Sequence, residues 1–184
     1  MPRTVILTAH TVDYQAVRVH LTELEEETHP QGTVYEVGQF SVNGQTWEVA
    51  IAEIDNSNTS AGSEAERALS HFKPDVILLV GAATGIKDVS PGDVVVATKV
   101  YGYESGRAED EFRPQPEVQQ PSYQLRERAK TERRKVDWLK RLPCETSRSS
   151  PSILLAPIAS GEKEVANRQR LRGCRFLLSP QTNE

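Results

Sequence analysis

Residues 72–98 have the sequence FKPDVILLVGAATGIKDVSPGDVVVAT, and this stretch decides the fold. It opens on a short apolar run at 76–80, which is too short for a comfortable helix and lies between a proline and a glycine. We therefore predict a fully buried β-strand there. The turn-forming triplet at 91–93 precedes a second predicted strand that begins with the valines at 94–96.

The loop between these two strands consists of small residues, Gly81, Ala82, Ala83, Thr84 and Gly85. Small side chains let a ligand approach the backbone, and ligand crevices in α/β sheets form at the carboxyl ends of strands. The sequence therefore predicts a ligand-binding loop, with a tight connection of no further function as the alternative. It is not a Walker loop and lacks the GxGxxG spacing of dinucleotide-binding loops.

Length, composition and charge limit the classes of protein to which this chain can belong. The length of 184 residues fits one domain, and the net charge of −4 gives no reason to expect nucleic acid as the main partner. No apolar run approaches the roughly 18 residues of a membrane span, and the start is too short in its apolar part for a signal peptide. We expect a cytoplasmic protein. Cys144 and Cys174 form no CxxC pair, so we expect neither a metal site nor a disulfide scaffold.

The N-terminal segment predicts a strand followed by a helix. Residues 4–8 are a short β-branched run that suits the centre of a sheet. Thr11 is the predicted cap of a helix whose apolar face carries Val17, Leu21 and Leu24. Asp13 falls in the first turn of this helix, where the helix dipole stabilises a carboxylate.

The remaining elements complete an alternation of strands and helices. Asn43-Gly44 predicts a hairpin between strands at 33–40 and 46–54. Further predicted elements are a helix at 61–72, a basic helix at 123–142 and a strand at 152–158. The basic helix face is typical of a solvated surface, so a nucleic-acid partner is the less favoured interpretation.

Three segments together carry a resemblance: ILTAHTVDYQAV at 6–17, the block FKPDVILLVGAATGIKDVSPGDVVVATKVYGYESG at 72–106, and ILLAPIASGEK at 153–163. They resemble the nucleoside phosphorylase and nucleosidase superfamily, specifically its 5'-methylthioadenosine/S-adenosylhomocysteine nucleosidase-like branch. The resemblance implies a three-layer α/β/α fold around a mixed, partly barrel-like central sheet. It implies no metal and no organic cofactor. Members of the family commonly form homodimers in which a neighbour helps to close the base pocket.

The resemblance also implies roles for single residues. Asp13 matches the acidic residue that holds or activates the attacking water while an oxocarbenium-like ribosyl group forms. The loop segment at 82–85 matches the part that passes beside the ribose. Ser160 and Gly161 match the start of the segment that contacts the base, and Val165 lies where the family often has an aromatic stacking residue.

Leu79 occupies the place of the arginine that binds phosphate in phosphorolytic relatives, so the resemblance favours hydrolysis. Other departures weaken the site. Asp13 is one methylene shorter than the usual glutamate, and Thr84 replaces a glycine. The chain has no methionine beyond Met1, so the ribose-binding Met-Glu pair of the family is absent.

In the family, the aspartate that protonates the purine and the last strands and helix follow the point where this sequence ends. We therefore predict an incomplete nucleoside phosphorylase-like domain at 1–165 and a divergent Arg-rich tail at 166–184. The tail is interpreted either as a frameshifted end or as a natural, divergent short form.

Two functions follow from the sequence. The first is hydrolytic cleavage of the N-glycosidic bond of a purine nucleoside of the methylthioadenosine type, weak or absent in this chain. The alternative is a non-catalytic nucleoside-sensing or protein-interaction domain. The expected partner is a small-molecule nucleoside, with no membrane involved and with nucleic acid as the less favoured partner.

Overall fold

A computed structural model describes residues 1–86, 88–108, 112–135, 137–142 and 151–162, apart from the side chains of Ala108 and Phe112. The chain divides into two compact units, an N-terminal unit at 1–83 and a C-terminal unit from residue 84 onward. The division into a domain at 1–165 and a tail at 166–184 stays a prediction, since Val165 and the tail lie outside the described residues.

The N-terminal unit consists of one sheet and two helices. Its elements are β1 (Arg3–Thr8), α1 (Thr11–Arg18), β2 (Thr22–Thr28), β3 (Val34–Val42), β4 (Gln45–Glu53), α2 (Asn58–Phe72) and β5 (Val76–Val80). The strand order is β2-β3-β4-β1-β5. The sheet is mixed, because β1 runs parallel to β4 and β5 whereas the pairs β2–β3 and β3–β4 are antiparallel. The predicted hairpin is confirmed, with positive φ angles of 50° at Asn43 and 76° at Gly44.

The core of this unit lies on one face of the sheet, beneath α2. Its buried members come from β1, β3, β4 and the residue after it, and α2: Val5, Leu7, Tyr35, Ala50, Ala52, Ile54, Ala68 and Phe72. The rings of Tyr35 and Phe72 meet edge to face with their centroids 4.8 Å apart. Because side chains alternate along a strand, Val49 and Ile51 point to the other face.

The helix predicted to run past Leu24 is shorter than expected. α1 ends at Arg18, and the glutamate-rich segment after it forms the edge strand β2. Leu21 and Leu24 have helical spacing, yet both pack against Gly38 of β3, where an added β-carbon would lie 2.9 Å from Leu24 Cδ2. The prediction was wrong because two leucines that suit a helix face also suit a strand pairing, and charged side chains tolerate a sheet edge.

β5 is present as predicted, but it is not fully buried. It is the edge strand of the sheet, and Leu79 is 67% exposed. An apolar run alone does not distinguish a central strand from an edge strand.

The C-terminal unit is built around a three-stranded sheet of order β10-β6-β9. Its elements are β6 (Val94–Gly102), β7 (Gly106–Ala108), β8 (Phe112–Pro114), β9 (Glu117–Gln119), α3 (Tyr123–Lys135), a 3₁₀ turn (Asp137–Arg141) and β10 (Ile153–Ser160). β6 and β10 are parallel. The predicted turn before β6 is confirmed. Asp93 accepts hydrogen bonds of 2.8 Å from the backbone N–H groups of Ser90 and Ser152, and these lower the pKa of its carboxyl.

Candidate functional site

Three parallel strands of the N-terminal unit end at one level. Thr8 at the end of β1 is paired with Glu53 of β4 and with Val80 of β5. The N–H of Ile54 continues this pairing by donating to the carbonyl of Thr8 at 2.8 Å. The segments that follow the three strands therefore leave the sheet at the same carboxyl edge, where α/β proteins form their ligand crevices.

Asp13 contacts the small-residue loop at this edge. Its Oδ2 accepts a long hydrogen bond of 3.4 Å from the backbone N–H of Ala82. A β-carbon built on Gly81 would lie 3.3 Å from the same oxygen. The structure thus brings together two features singled out in the sequence, the carboxylate in the first turn of α1 and the loop after β5.

Thr11 does not cap α1, contrary to the sequence-based expectation. The N-cap is His10, whose backbone is extended and whose side chain makes no capping hydrogen bond. Thr11 is the first helical residue, and its hydroxyl donates to Glu53 Oε1 at 2.9 Å. The helix starts one residue early because the chain turns directly out of β1, and the hydroxyl then finds a partner on the neighbouring strand.

Glu53 is a site residue that sequence reasoning missed. It is the last residue of β4, where an apolar run gives way to a carboxylate. This change from apolar residues to a carboxylate was the signal in the sequence that could have pointed to Glu53. Its meaning depends on the parallel pairing of β1 with β4, which brings Glu53 beside the start of α1.

A second carboxylate, Glu36 of β3, holds the middle and the end of α1. Tyr14 donates its hydroxyl to Glu36 Oε2 at 2.5 Å, and Arg18 donates to both carboxylate oxygens, at 2.7 and 2.9 Å. The hydrogen bond from Arg18 is the largest influence and lowers the pKa of Glu36. Burial, reinforced by the hydrogen bond to Glu36, raises the pKa of Tyr14 far above its ordinary value.

The predicted base-contacting residues lie in the C-terminal unit. Ser160 ends β10, and its carbonyl accepts a hydrogen bond of 3.2 Å from the N–H of Tyr103. A β-carbon added at Gly161 would clash with the end of the Tyr103 ring, so a larger residue there would require that ring to move. Glu104 accepts from the N–H of Glu162 at 2.7 Å. Tyr103 and Glu104, which sequence reasoning did not select, therefore fix the backbone of this segment.

The remaining residues that were predicted to contact a ligand in this part of the chain are Thr84, Gly85 and Val165. Thr84 and Gly85 are exposed, and a β-carbon on Gly85 would lie 3.2 Å from Val89 Cβ. Val165 lies outside the described residues. Within the described ranges, no three His, Cys, Asp or Glu side chains are grouped as metal ligands would be, and no helix has the length and apolarity to cross a membrane.

A curated relative supports the resemblance found in the sequence. ATP nucleosidase Cap17 of Escherichia coli is 30% identical over 125 residues. The match covers 64% of this chain and 25% of the relative, so the chain spans about a quarter of the length of that protein.

Solved structures show the same fold. A methylthioadenosine/S-adenosylhomocysteine nucleosidase from Colwellia psychrerythraea, in complex with adenine, has a TM-score of 0.74 at 17% identity, over 95% of this chain and 68% of that one. A futalosine hydrolase mutant of Helicobacter pylori has a TM-score of 0.69 at 18% identity, over 97% of this chain and 77% of that one. The predicted α/β fold class is thereby confirmed.

The family assignment rests on a sequence match over most of the chain. The sequence model of the Phosphorylase superfamily matches residues 3–159, which include the Asp13 helix, the small-residue loop and β10 up to Ala159. The chain belongs to the phosphorylase superfamily.

Proposed function

We propose that this chain carries a nucleoside-binding site of the hydrolytic nucleosidase type, with Asp13 as its catalytic carboxylate. The observation that carries this proposal is the contact between Asp13 Oδ2 and the N–H of Ala82, 3.4 Å apart at the carboxyl edge of the sheet. It joins an acid to a loop whose small side chains leave its backbone open to a ligand.

The chemistry of N-glycosidic hydrolysis suits a carboxylate in this position. The sugar carbon gains positive charge as the bond to the base breaks, and a nearby anion stabilises that charge. The same carboxylate accepts a proton from the attacking water. Ala82 and Ala83 would line the sugar side of the site, with Thr84 and Gly85 continuing the loop.

Hydrolysis is favoured over phosphorolysis by the residue at position 79. A phosphate co-substrate needs a cationic partner, and the side chain on β5 that occupies the corresponding place is an exposed leucine. Water needs no such partner. We propose no metal or organic cofactor for this reaction.

A purine nucleoside or nucleotide is the proposed ligand. The curated relative is named an ATP nucleosidase, and two structural neighbours, from Colwellia psychrerythraea and Streptococcus pyogenes, were solved with adenine and with 5-methylthiotubericidin, respectively. Ser160 and Gly161 would contact the base, together with Val165. A cytoplasmic homodimer is the proposed setting.

Turnover by this chain is proposed to be weak or absent. The Met-Glu pair implied for ribose binding is missing, because Met1 is the only methionine. Protonation of the leaving base contributes typically about 10²- to 10⁴-fold to such reactions, so turnover without that acid would be slow. A nucleoside sensor that binds without cleaving, or a protein-interaction domain, is therefore the second candidate.

Two measurements test the proposal. Thermal shift with methylthioadenosine, adenosine and ATP should raise the melting temperature for at least one of them, because a ligand that binds the native state stabilises it by mass action. Chromatography of released adenine should show at most slow turnover, which Asp13→Asn abolishes. Absence of any thermal shift would leave only the interaction domain, and fast turnover that persists in Asp13→Asn would remove Asp13 from its role.

A further inference from the structure

The helix that carries Asp13 has no fully buried residue. Val12 is 71% exposed, and Val19, just after the helix, is 74% exposed. Apolar packing, which holds most helices in place, is therefore weak for α1. Its orientation must depend on other contacts.

Those contacts are polar, and they lie at two points along the helix. At the first turn, the hydroxyl of Thr11 is bound to Glu53. Further along, Tyr14 and Arg18 are bound to Glu36.

The two carboxylates lie on one face of the sheet. Glu36 is paired with Ile51 across β3 and β4, and Glu53 follows Ile51 by two residues. Residues that are two apart on a strand share a face, and so do paired residues on neighbouring strands. Glu36 and Glu53 therefore form a polar platform under α1, with buried Ile51 between them.

We infer that Glu53 is a positioning residue for Asp13. Through the Thr11 hydroxyl it fixes the first turn of α1, and Asp13 belongs to that same turn. An effect of Glu53 on catalysis rests on the proposed function. The effect of Glu53 on the position of Asp13 does not. The bond of Asp13 to Ala82 is at the long end of the hydrogen-bond range, so a small rotation of this turn breaks it.

Glu53 also fits this role electrostatically. A carboxylate beside the N-terminus of a helix is stabilised by the helix dipole and by unpaired N–H groups. His10 supplies no side-chain cap, and Glu53 lies at the start of α1 through its contact with the Thr11 hydroxyl.

The sequence offers a direct reporter of the Asp13 contact. Gly81-Ala82 is the only Gly-Ala dipeptide in the chain. Labelling glycine with ¹³C at the carbonyl and alanine with ¹⁵N therefore gives a single correlation for the Ala82 amide in a carbonyl-to-amide NMR experiment. Its chemical shift reports the hydrogen bond to Asp13 without any need for turnover.

We expect Asp13→Asn to move this peak at neutral pH, and Glu53→Ala to move it in the same direction. Glu53→Gln should return it toward the wild-type position, because the amide oxygen still accepts from Thr11. Thr11→Val removes the hydroxyl that donates this hydrogen bond, so it should reproduce the effect of Glu53→Ala. It provides the test if Glu53→Ala does not fold.

Glu48→Ala is the matched control. It removes a carboxylate from the same strand, but its partner is Arg3 at the other end of β1. This variant should leave the Ala82 peak in place. The inference is overturned if the peak stays at its wild-type position in both Glu53→Ala and Thr11→Val, or if Glu48→Ala moves it equally. Failure of all nucleosides to bind, with these shifts intact, would instead overturn the proposed function alone.

Discussion

The two helices of the N-terminal unit are held to the same sheet by different means. α2 places Ala68 and Phe72 in an apolar core and buries Glu64 in a hydrogen-bond network. α1 has no buried residue and is bound through side chains that reach Glu36 and Glu53. The apolar core thus lies on the α2 side of the sheet, whereas the helix that carries the candidate catalytic acid is held to the other side by directional bonds.

The largest effect in this comparison should come from Phe72. Truncation of a buried phenylalanine leaves a cavity and costs about 3–5 kcal/mol in the free energy of unfolding. Phe72→Ala should lose stability in that range, because the side chain is 3% exposed and meets the Tyr35 ring. Urea denaturation followed by circular dichroism measures it.

Leu69→Ala is the control on the same helix, since Leu69 is 42% exposed. It should cost much less than Phe72→Ala. Equal losses for the two variants would contradict the assignment of the core to the Phe72 side of α2.

The next effect concerns Glu64, the buried carboxylate of α2. Burial by itself would raise the pKa of Glu64, but hydrogen bonds from Tyr35, Arg67 and Thr33 outweigh it, so the pKa is lowered. The carboxylate therefore stabilises the fold above the pKa that Glu64 has in the unfolded chain. This contribution is lost as the pH falls through the lower pKa of the folded state.

Glu64→Gln should cost about 1–3 kcal/mol at neutral pH, as expected for disturbing a buried hydrogen-bond network. The difference in unfolding free energy between Glu64→Gln and wild type should shrink as the pH is lowered into the acid range. Chemical denaturation at a series of pH values checks this. A difference that is independent of pH would mean that Glu64 has the same pKa in the folded and unfolded protein, and that its hydrogen bonds do not favour the ionised form.

Local features of this architecture could be predicted from the sequence, and contacts between distant residues could not. The hairpin was predictable because Asn43-Gly44 adopts the positive φ angles that this pair favours. The place of Asp13 in the first turn of α1 could be predicted because it is set by neighbours in sequence. Glu36 and Glu53 were missed because their partners are fixed by strand pairing, which joins residues far apart in the chain.

The end of α1 illustrates the same limit. Leu21 and Leu24 continue the helical spacing, but a strand pairing that places Gly38 beneath them gives both side chains a surface to pack on. Glu23 then adopts a positive φ of 53° where the pairing of β2 with β3 is irregular. The spacing of apolar residues in a sequence shows which residues are apolar, but it does not show which surface they pack against.

The smallest effect on stability, and the sharpest test of the contrast between the two helices, should come from Glu36. Its partner Arg18 is half-exposed, and ion pairs of this kind contribute at most about 1 kcal/mol. Glu36→Gln keeps an oxygen that accepts from Tyr14 or Arg18 but loses the charge, so unfolding by urea should change little.

The same variant should nevertheless disturb α1. Without the two-pronged bond to Arg18, the end of the helix is held less tightly, and amide hydrogen exchange should become faster in α1 while α2 keeps its protection. Val19→Ala, which shortens an exposed side chain just after α1, is the control and should change neither helix. If Glu36→Gln instead lowers protection equally in both helices, the two sides of the sheet are stabilised together, and Asp13 depends on the core as much as on its carboxylate anchors.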